Sequence, residues 1–247
     1  MASGENSDFE ARPQQLSLGV SLHDEATFGN FFLPPETSNR QAVAALQDQL
    51  STGGEKLLYL WGAPGAGLTH LLQAACHCAY ARKRSAQYLP LKELAGFAPQ
   101  SLLEGLESLD LLCLDSIDAV AGNPAWEEAL FDLFNRVQEA GGHLLFSALQ
   151  GPRELALGLA DLQSRLEWCA VYHIAVLSDE EKQAALQMRA RARGMEMGLD
   201  VAQYILSRAP RDMNDLFLLL DRLDERSLQE QRKLTIPFVK QILGRGY

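Results

Sequence analysis

Residues 56–69 read KLLYLWGAPGAGLT, and the fold is decided there. Residues 56–61 are an almost unbroken apolar run bounded by glycines, the pattern of a strand buried on both faces of a parallel sheet. Gly62, Gly65 and Gly67 then interrupt it, and from about Leu68 the pattern turns helical, up to about Arg82. Strand, glycine-rich turn and helix in that order match the phosphate-binding loop G-x-x-x-x-G-K-S/T at every position but one. Glycines in such a turn let backbone N–H groups converge on phosphate oxygens, and the helix N-terminus adds partial positive charge. The candidate nucleotide contacts are therefore Gly62, Pro64, Gly65, Ala66, Gly67, Leu68, Thr69 and His70, with the Thr69 hydroxyl as a ligand for Mg.

The exception is the lysine, replaced by Leu68. A lysine ammonium in that place meets the β- and γ-phosphates. At an effective dielectric of about 20, a charge pair about 4 Å apart interacts by about 4 kcal/mol. Its loss weakens a triphosphate more than a diphosphate and slows hydrolysis. The expectation is a site that holds ADP and turns over ATP weakly or not at all.

Further along, the apolar run 109–114 ends on Asp115. A buried strand delivering an aspartate at its C-terminal end is the Walker B arrangement, in which the carboxylate supports the Mg shell. Ser116 follows, where an ATPase of this class carries a Glu or Asp to orient water. Asp118 reads as a loop or capping residue.

Apolar strands are also expected at 87–89, 143–147 and 170–174. Helices are expected at 39–50, opened by a Ser38/Gln41 capping box, and at 125–139, stopped by Gly141-Gly142, with short helices between 91 and 107. Alternating strands and helices of this kind build an α/β fold, a parallel sheet with helices on both faces. At Ser178 the pattern changes. A second capping box, Ser178/Glu181, opens an all-helical stretch with helices near 179–193, 200–208, 212–227 and 236–243. The chain thus divides into a flexible tail (1–25), an α/β nucleotide-binding base (26–177) and a helical lid (178–247).

Composition narrows the function classes. The 247 residues include 32 acidic and 22 basic side chains, a formal net charge of −10. Such a balance opposes a protein whose main task is gripping naked DNA, which needs a dense basic surface. No apolar run approaches the roughly 18 residues of a membrane span. Residues 1–12 are polar and acidic, unlike a signal peptide, so a cytoplasmic protein without membrane contact is expected. Cys76, Cys78, Cys113 and Cys169 form no Cys-x-x-Cys pair and read as buried free thiols.

With these motifs in place the chain resembles the AAA+ module of the DnaA replication-initiator family over about residues 26–245. Thr27-Phe28-Gly29-Asn30-Phe31 and Ser38-Asn39-Arg40-Gln41-Ala42 are similar to the family's entry to the nucleotide site. Asp161-Leu162-Gln163-Ser164-Arg165-Leu166 resembles the box that carries its arginine finger, and Arg211-Asp212-Met213 the sensor-2 arginine of the lid. The runs 129–136 and 231–240 bring the chain nearest to the regulatory branch that inactivates the initiator.

What the resemblance implies is specific. Arg165 is an arginine finger acting in trans, and Arg211 contacts the nucleotide from the lid. Gln15, Leu16, Leu18 and Val20, in the order Gln-Leu-x-Leu, bind the DNA polymerase sliding clamp (the β subunit). The partner is DnaA in its ATP form. DNA is reached indirectly through the clamp, which places the protein at the nucleoid, and a homo-oligomer is compatible with the class. The chain ends at Tyr247, soon after the lid, so the initiator's DNA-binding domain is expected to be missing. The function implied is negative regulation of DNA replication initiation by stimulating DnaA's ATP hydrolysis, so the chain is an activator rather than an enzyme. The alternative is an ATP-driven helicase-loader or clamp-loader-like ATPase, which Leu68 and Ser116 ill suit.

Two further readings concern the rim of the site. Ser147-Ala148-Leu149-Gln150 is a poor match to the family's polar sensor-1 position. Arg189, Arg191 and Arg193, at the end of a lid helix, read as a solvated, dipole-compatible terminus.

Overall fold

Five parallel strands form one sheet in the order β2-β3-β4-β1-β5: β1 (Leu57–Trp61), β2 (Ala86–Pro90), β3 (Leu111–Asp115), β4 (His143–Ala148) and β5 (Ala170–His173). The computed structural model describes residues 22–23, 25–35, 37–210 and 212–244. The strands richest in apolar residues lie inside the sheet. All five positions of β3 are buried, and β1 is locked between β4 and β5, pairing Tyr59 with Phe146 and with Val171.

Side chains alternate between the two faces. Leu58 and Leu60 of β1 join Leu111 and Cys113 of β3 beneath α1 (Asn39–Asp48) and α2 (Leu68–Ala81). Tyr59, Leu112, Leu114 and Phe146 face the other way, toward α3 (Leu91–Leu94), α4 (Pro99–Leu103), α5 (Pro124–Ala140) and α6 (Ala160–Glu167). The first layer is filled mainly by Leu, Ala and Cys, the second by Leu, Phe and Trp, so the sheet is covered by apolar side chains on both faces.

The local signals explain most boundaries. Asn123 caps α5 by accepting from the N–H groups of Ala125 and Trp126, Pro124 fills its first turn, and Gly141 at φ +77° ends it. At the lid, Ser178 Oγ accepts from Glu181 N at 3.2 Å while the Glu181 carboxylate accepts from Ser178 N at 2.7 Å, the reciprocal box read from the sequence. It opens α7 (Asp179–Ala192), followed by α8 (Leu199–Arg208), α9 (Met213–Glu230) and α10 (Ile236–Leu243). These four helices enclose a core of their own, centred on Leu186, Ile205, Leu220, Leu223 and Phe238.

Two details differ from expectation. Ser38 makes no capping hydrogen bond; its backbone is already helical (φ −57°, ψ −26°), which turns the hydroxyl away from the free N–H groups. Thr37 Oγ1 accepts from Asn39 N instead, at 3.3 Å. Helix α6 was not anticipated, because it is short and starts at Leu159 with no capping side chain. The buried Glu127 fixes the turn ahead of it, its carboxylate accepting from the N–H groups of Gly158, Leu159 and Gly122. Among the described residues no helix is long and apolar enough to cross a membrane.

Candidate nucleotide site

In a parallel sheet every strand ends on the same edge, and ligands settle in the crevice beyond those carboxyl ends. Here that edge carries the glycine loop after β1, Asp115 at the end of β3 and Ser147 near the end of β4. They line a cleft of about 880 Å³, closed on one side by His23, Glu25 and Ala26 and on the other by lid helices α7 and α9. Its volume lies within the range of about 300–1,000 Å³ usual for small-molecule sites.

The loop has the backbone such a site needs. Gly65 and Gly67 sit at φ +83° and +90°, the left-handed region that side chains disfavour. Neither has room for a Cβ: one on Gly65 would stand 2.7 Å from Asp212 Oδ2, and one on Gly67 2.7 Å from Phe31 Cε2. Ala63, Pro64, Gly65, Ala66, Gly67, Leu68, Thr69 and His70 all line the cleft. Gly62 stands behind the loop, where a Cβ would lie 2.5 Å from the Ile174 carbonyl oxygen; its role is to let the ends of β1 and β5 approach. His70 is committed to the N-terminal side: its Nε2–H donates to the Thr27 carbonyl at 2.8 Å, and burial lowers its pKa.

Asp115 is buried and surrounded by hydroxyls. Its Oδ2 accepts from Thr69 Oγ1 and from the Tyr88 hydroxyl, both at 2.7 Å, and its Oδ1 accepts from Ser147 Oγ. Burial and the neighbouring carboxylate raise the Tyr88 pKa far above the usual phenol range, so it stays a donor. Ser147 Oγ also accepts from Ser116 N at 2.9 Å, pinning the turn in which Ser116 takes φ +62°. Ser147 therefore belongs to the site. Tyr88 is not legible in the sequence as a site residue; an aromatic in the middle of a strand gives no sign that its hydroxyl will reach the aspartate ending the next strand. Thr69 and Asp115, expected at a Mg ion, are brought into direct contact. A hydroxyl and a carboxylate beside a phosphate loop are the oxygen donors Mg prefers, and the glycine cradle fits a polyphosphate.

The lid arginines also depart from expectation. Arg189 and Arg193, one helical turn apart, point into the cleft rather than into solvent. Arg189 is buried; it bonds the Glu25 carboxylate at 2.7 Å, and its guanidinium carbon lies 5.0 Å from the centre of the Phe217 ring. Arg193 pairs with Glu25 and with Asp221 of α9. Hydrogen bonding from Arg193, reinforced by the charge of Arg189, holds the Glu25 carboxyl below the ordinary range despite partial burial. Only Arg191 is exposed as the dipole argument supposed.

Arg165 lies elsewhere. It does not line the cleft, and neither Asp161 nor Glu167 pairs with it; Glu167 bonds Arg153 at 3.3 Å. Its guanidinium carbon stands 4.3 Å from the Trp168 ring centre and 5.9 Å from those of Phe131 and Phe134. Trp168 is 60% exposed, so this stacked pair forms part of the surface. The remaining expected contacts, Arg211 and the segment with Gln15, Leu16, Leu18 and Val20, lie outside the described residues.

Two family models match the chain. That of the bacterial DnaA ATPase domain covers residues 22–173, and that of the Hda lid domain covers residues 179–243. Among solved structures, domain III of the Thermotoga maritima replication initiation protein DnaA superposes with a TM-score of 0.75 at 19% identity, over 92% of this chain and 98% of that one. AMPPCP-bound DnaA from Aquifex aeolicus gives 0.69 at 22% identity, over 85% and 71%. The Thermotoga maritima RuvB Holliday junction branch migration motor gives 0.63 at 18%, over 85% and 68%. These likenesses show an AAA+ fold with a helical lid.

Proposed function

Because this chain belongs to the bacterial DnaA ATPase-domain family and carries an Hda-type lid, we propose that it is a regulator of the replication initiator that stimulates ATP hydrolysis by DnaA. In this reading the protein holds ADP in its own cleft. It is tethered to the DNA-loaded sliding clamp through Gln15, Leu16, Leu18 and Val20, and it docks on DnaA in its ATP form. Arg165 then enters DnaA's site. A guanidinium delivered in trans to a transferring phosphoryl group is worth about 10³–10⁵ in rate. The hydrolysed ATP is DnaA's, so this chain activates rather than catalyses, and DnaA left with ADP is restrained from initiating again.

The observation that carries the proposal is the place of Arg165. It is outside its own cleft, free of the two acidic residues beside it, and mounted on the exposed Trp168 ring. A side chain so placed is away from its own nucleotide site, which supports a role toward a neighbour's. Leu68 supports the other half of the reading, since the loop offers no side-chain cation to a γ-phosphate. In its own site the backbone N–H groups of Gly65, Gly67, Leu68 and Thr69 would cradle the diphosphate, and Thr69 and Asp115 would hold Mg. The metal would neutralise phosphate charge there. Tyr88 and Ser147 orient the carboxylate, while Phe31 packs against the loop from outside.

The test is reconstitution: ATP-loaded DnaA, DNA-loaded clamp and this protein, with ADP formation followed over time. Stimulation that disappears with Arg165→Ala, while the variant still binds the clamp, is the expected result. Full stimulation by Arg165→Ala removes the arginine-finger role. Robust hydrolysis by the isolated chain removes the assignment as a non-hydrolysing activator.

A further inference from the structure

The glycine loop brings no lysine to a phosphate, yet the cleft is rich in carboxylates: Glu25, Asp115, Asp118, Asp212 and Asp221 all face it. Without compensation that wall repels a polyphosphate. Among the described residues, the Lys or Arg side chains lining the cleft are Arg189 and Arg193. Their donors are only partly used. The Arg189 side chain is 8% exposed, and its Nε, buried, has no partner among the described residues. Among the described residues its two other nitrogens bond Glu25, one at the carbonyl (3.3 Å) and one at the carboxylate (2.7 Å).

The two carboxylates that hold these arginines differ in setting. Asp221 stands on α9, within the packed lid. Glu25 stands on an irregular stretch ahead of the first helix, half exposed, and it serves both arginines at once. A diphosphate offers more charge and more acceptor oxygens than one carboxylate, and guanidinium groups bind such oxygens in pairs.

We propose that Arg189 and Arg193 are phosphate-contacting cations of this cleft, and that Glu25 is their internal counter-anion, displaced by a nucleoside diphosphate as it binds. The lid thereby supplies the positive charge that position 68 lacks, and Glu25 sets how tightly the diphosphate is held. The proposal rests on reading the cleft as a nucleotide site.

Calorimetric titration of the full chain with ADP and, in parallel, with adenosine tests it. Glu25→Gln keeps the shape and removes the competing charge. It tightens ADP by about three- to tenfold and leaves adenosine unchanged. Arg193→Gln weakens ADP by about tenfold or more, again sparing adenosine. In an Arg189→Gln/Arg193→Gln background, Glu25→Gln no longer tightens anything. Weaker or unchanged ADP binding by Glu25→Gln overturns the proposal, as does equal loss of ADP and adenosine in Arg193→Gln. Should the arginine variants fail to fold, Glu25→Gln decides alone, because Glu25 is half exposed. A wild-type chain that binds no ADP at millimolar concentration defeats the nucleotide reading itself. Wild-type binding that is lost in Gly67→Ala but indifferent to Glu25→Gln defeats only this inference.

Discussion

Thr69 Oγ1 donates to Asp115 Oδ2 at 2.7 Å, joining the first turn of α2 to the end of β3 across the mouth of the cleft. Both groups are oxygen donors, so the pair is a ready place for a cation bridging to phosphate. Asp115→Asn removes the charge and keeps the size. It is expected to abolish the part of ADP affinity that depends on Mg while leaving the affinity measured in EDTA nearly unchanged. Paired titrations with Mg and with EDTA check this; equal loss under both conditions contradicts a metal role. Tyr88→Phe, which deletes one donor to the same buried carboxylate, is expected to cost about 1.5–3 kcal/mol of stability in urea unfolding.

Gly67→Ala meets two obstacles at once. The backbone sits at φ +90°, and the added methyl would lie 2.7 Å from Phe31 Cε2. Strain of about 1–3 kcal/mol is expected, with a lower melting temperature and loss of ADP binding. Gly53→Ala is the comparison: it also has positive φ (+88°) but open space around it and no part in the cleft. It is expected to melt early by the backbone cost alone and to bind ADP normally, as calorimetry of both variants would show.

The Glu25 network predicts an acid response with a definite sign. Hydrogen bonding to Arg193 lowers the Glu25 pKa in the folded protein. A lowered carboxylate pKa gives stability that is complete above the unfolded value of 4.5 and is lost as pH falls through the lower folded value. Thermal unfolding between pH 7 and pH 3 should therefore show a smaller acid-induced fall for Glu25→Gln than for the wild type. Curves that stay parallel through this range would show that Glu25 contributes nothing to the linkage.

The parts of this molecule legible in its sequence are those whose signal is local. β1, the glycine loop and α2 follow from an apolar run, three glycines and a helical period, and Asp115 follows from its place at the end of an apolar strand. The lid arginines were misread because their partner is remote: Arg189 and Glu25 are 164 positions apart, and nothing near residue 189 signals that the helix end folds back over the N-terminal stretch. The part Ser147 plays beside Asp115 is not legible along the chain, because the contact runs across to the neighbouring strand. Helix α6 escaped because no side chain caps it and the turn ahead of it is fixed by a glutamate from another helix. In each case a contact between distant segments, not a local preference, determined the outcome.

Arg165 and Trp168 yield the sharpest remaining prediction. A guanidinium 4.3 Å from an indole ring centre is in cation–π contact, worth about 0.5–1 kcal/mol at an exposed site and about 2 or more when desolvated. On the surface of α6 the ring limits the orientations open to the arginine, and an interface closing over the pair would strengthen the contact. Trp168 would then be a positioning residue for Arg165 rather than a member of the catalytic set. Trp168→Ala is expected to lower the stimulated hydrolysis by DnaA by about ten- to thirtyfold through its maximal rate, because a mispositioned arginine is lost mainly in the transition state. Trp168→Phe, which keeps an aromatic face, should recover most of that loss. Binding to the clamp and to ADP should be untouched in both variants. A purely structural role for the ring predicts the opposite pattern: an early thermal transition in Trp168→Ala, weaker ADP binding and no selective fall in maximal rate. Measuring the rate, the ADP affinity and the melting curve on the same preparations separates the two.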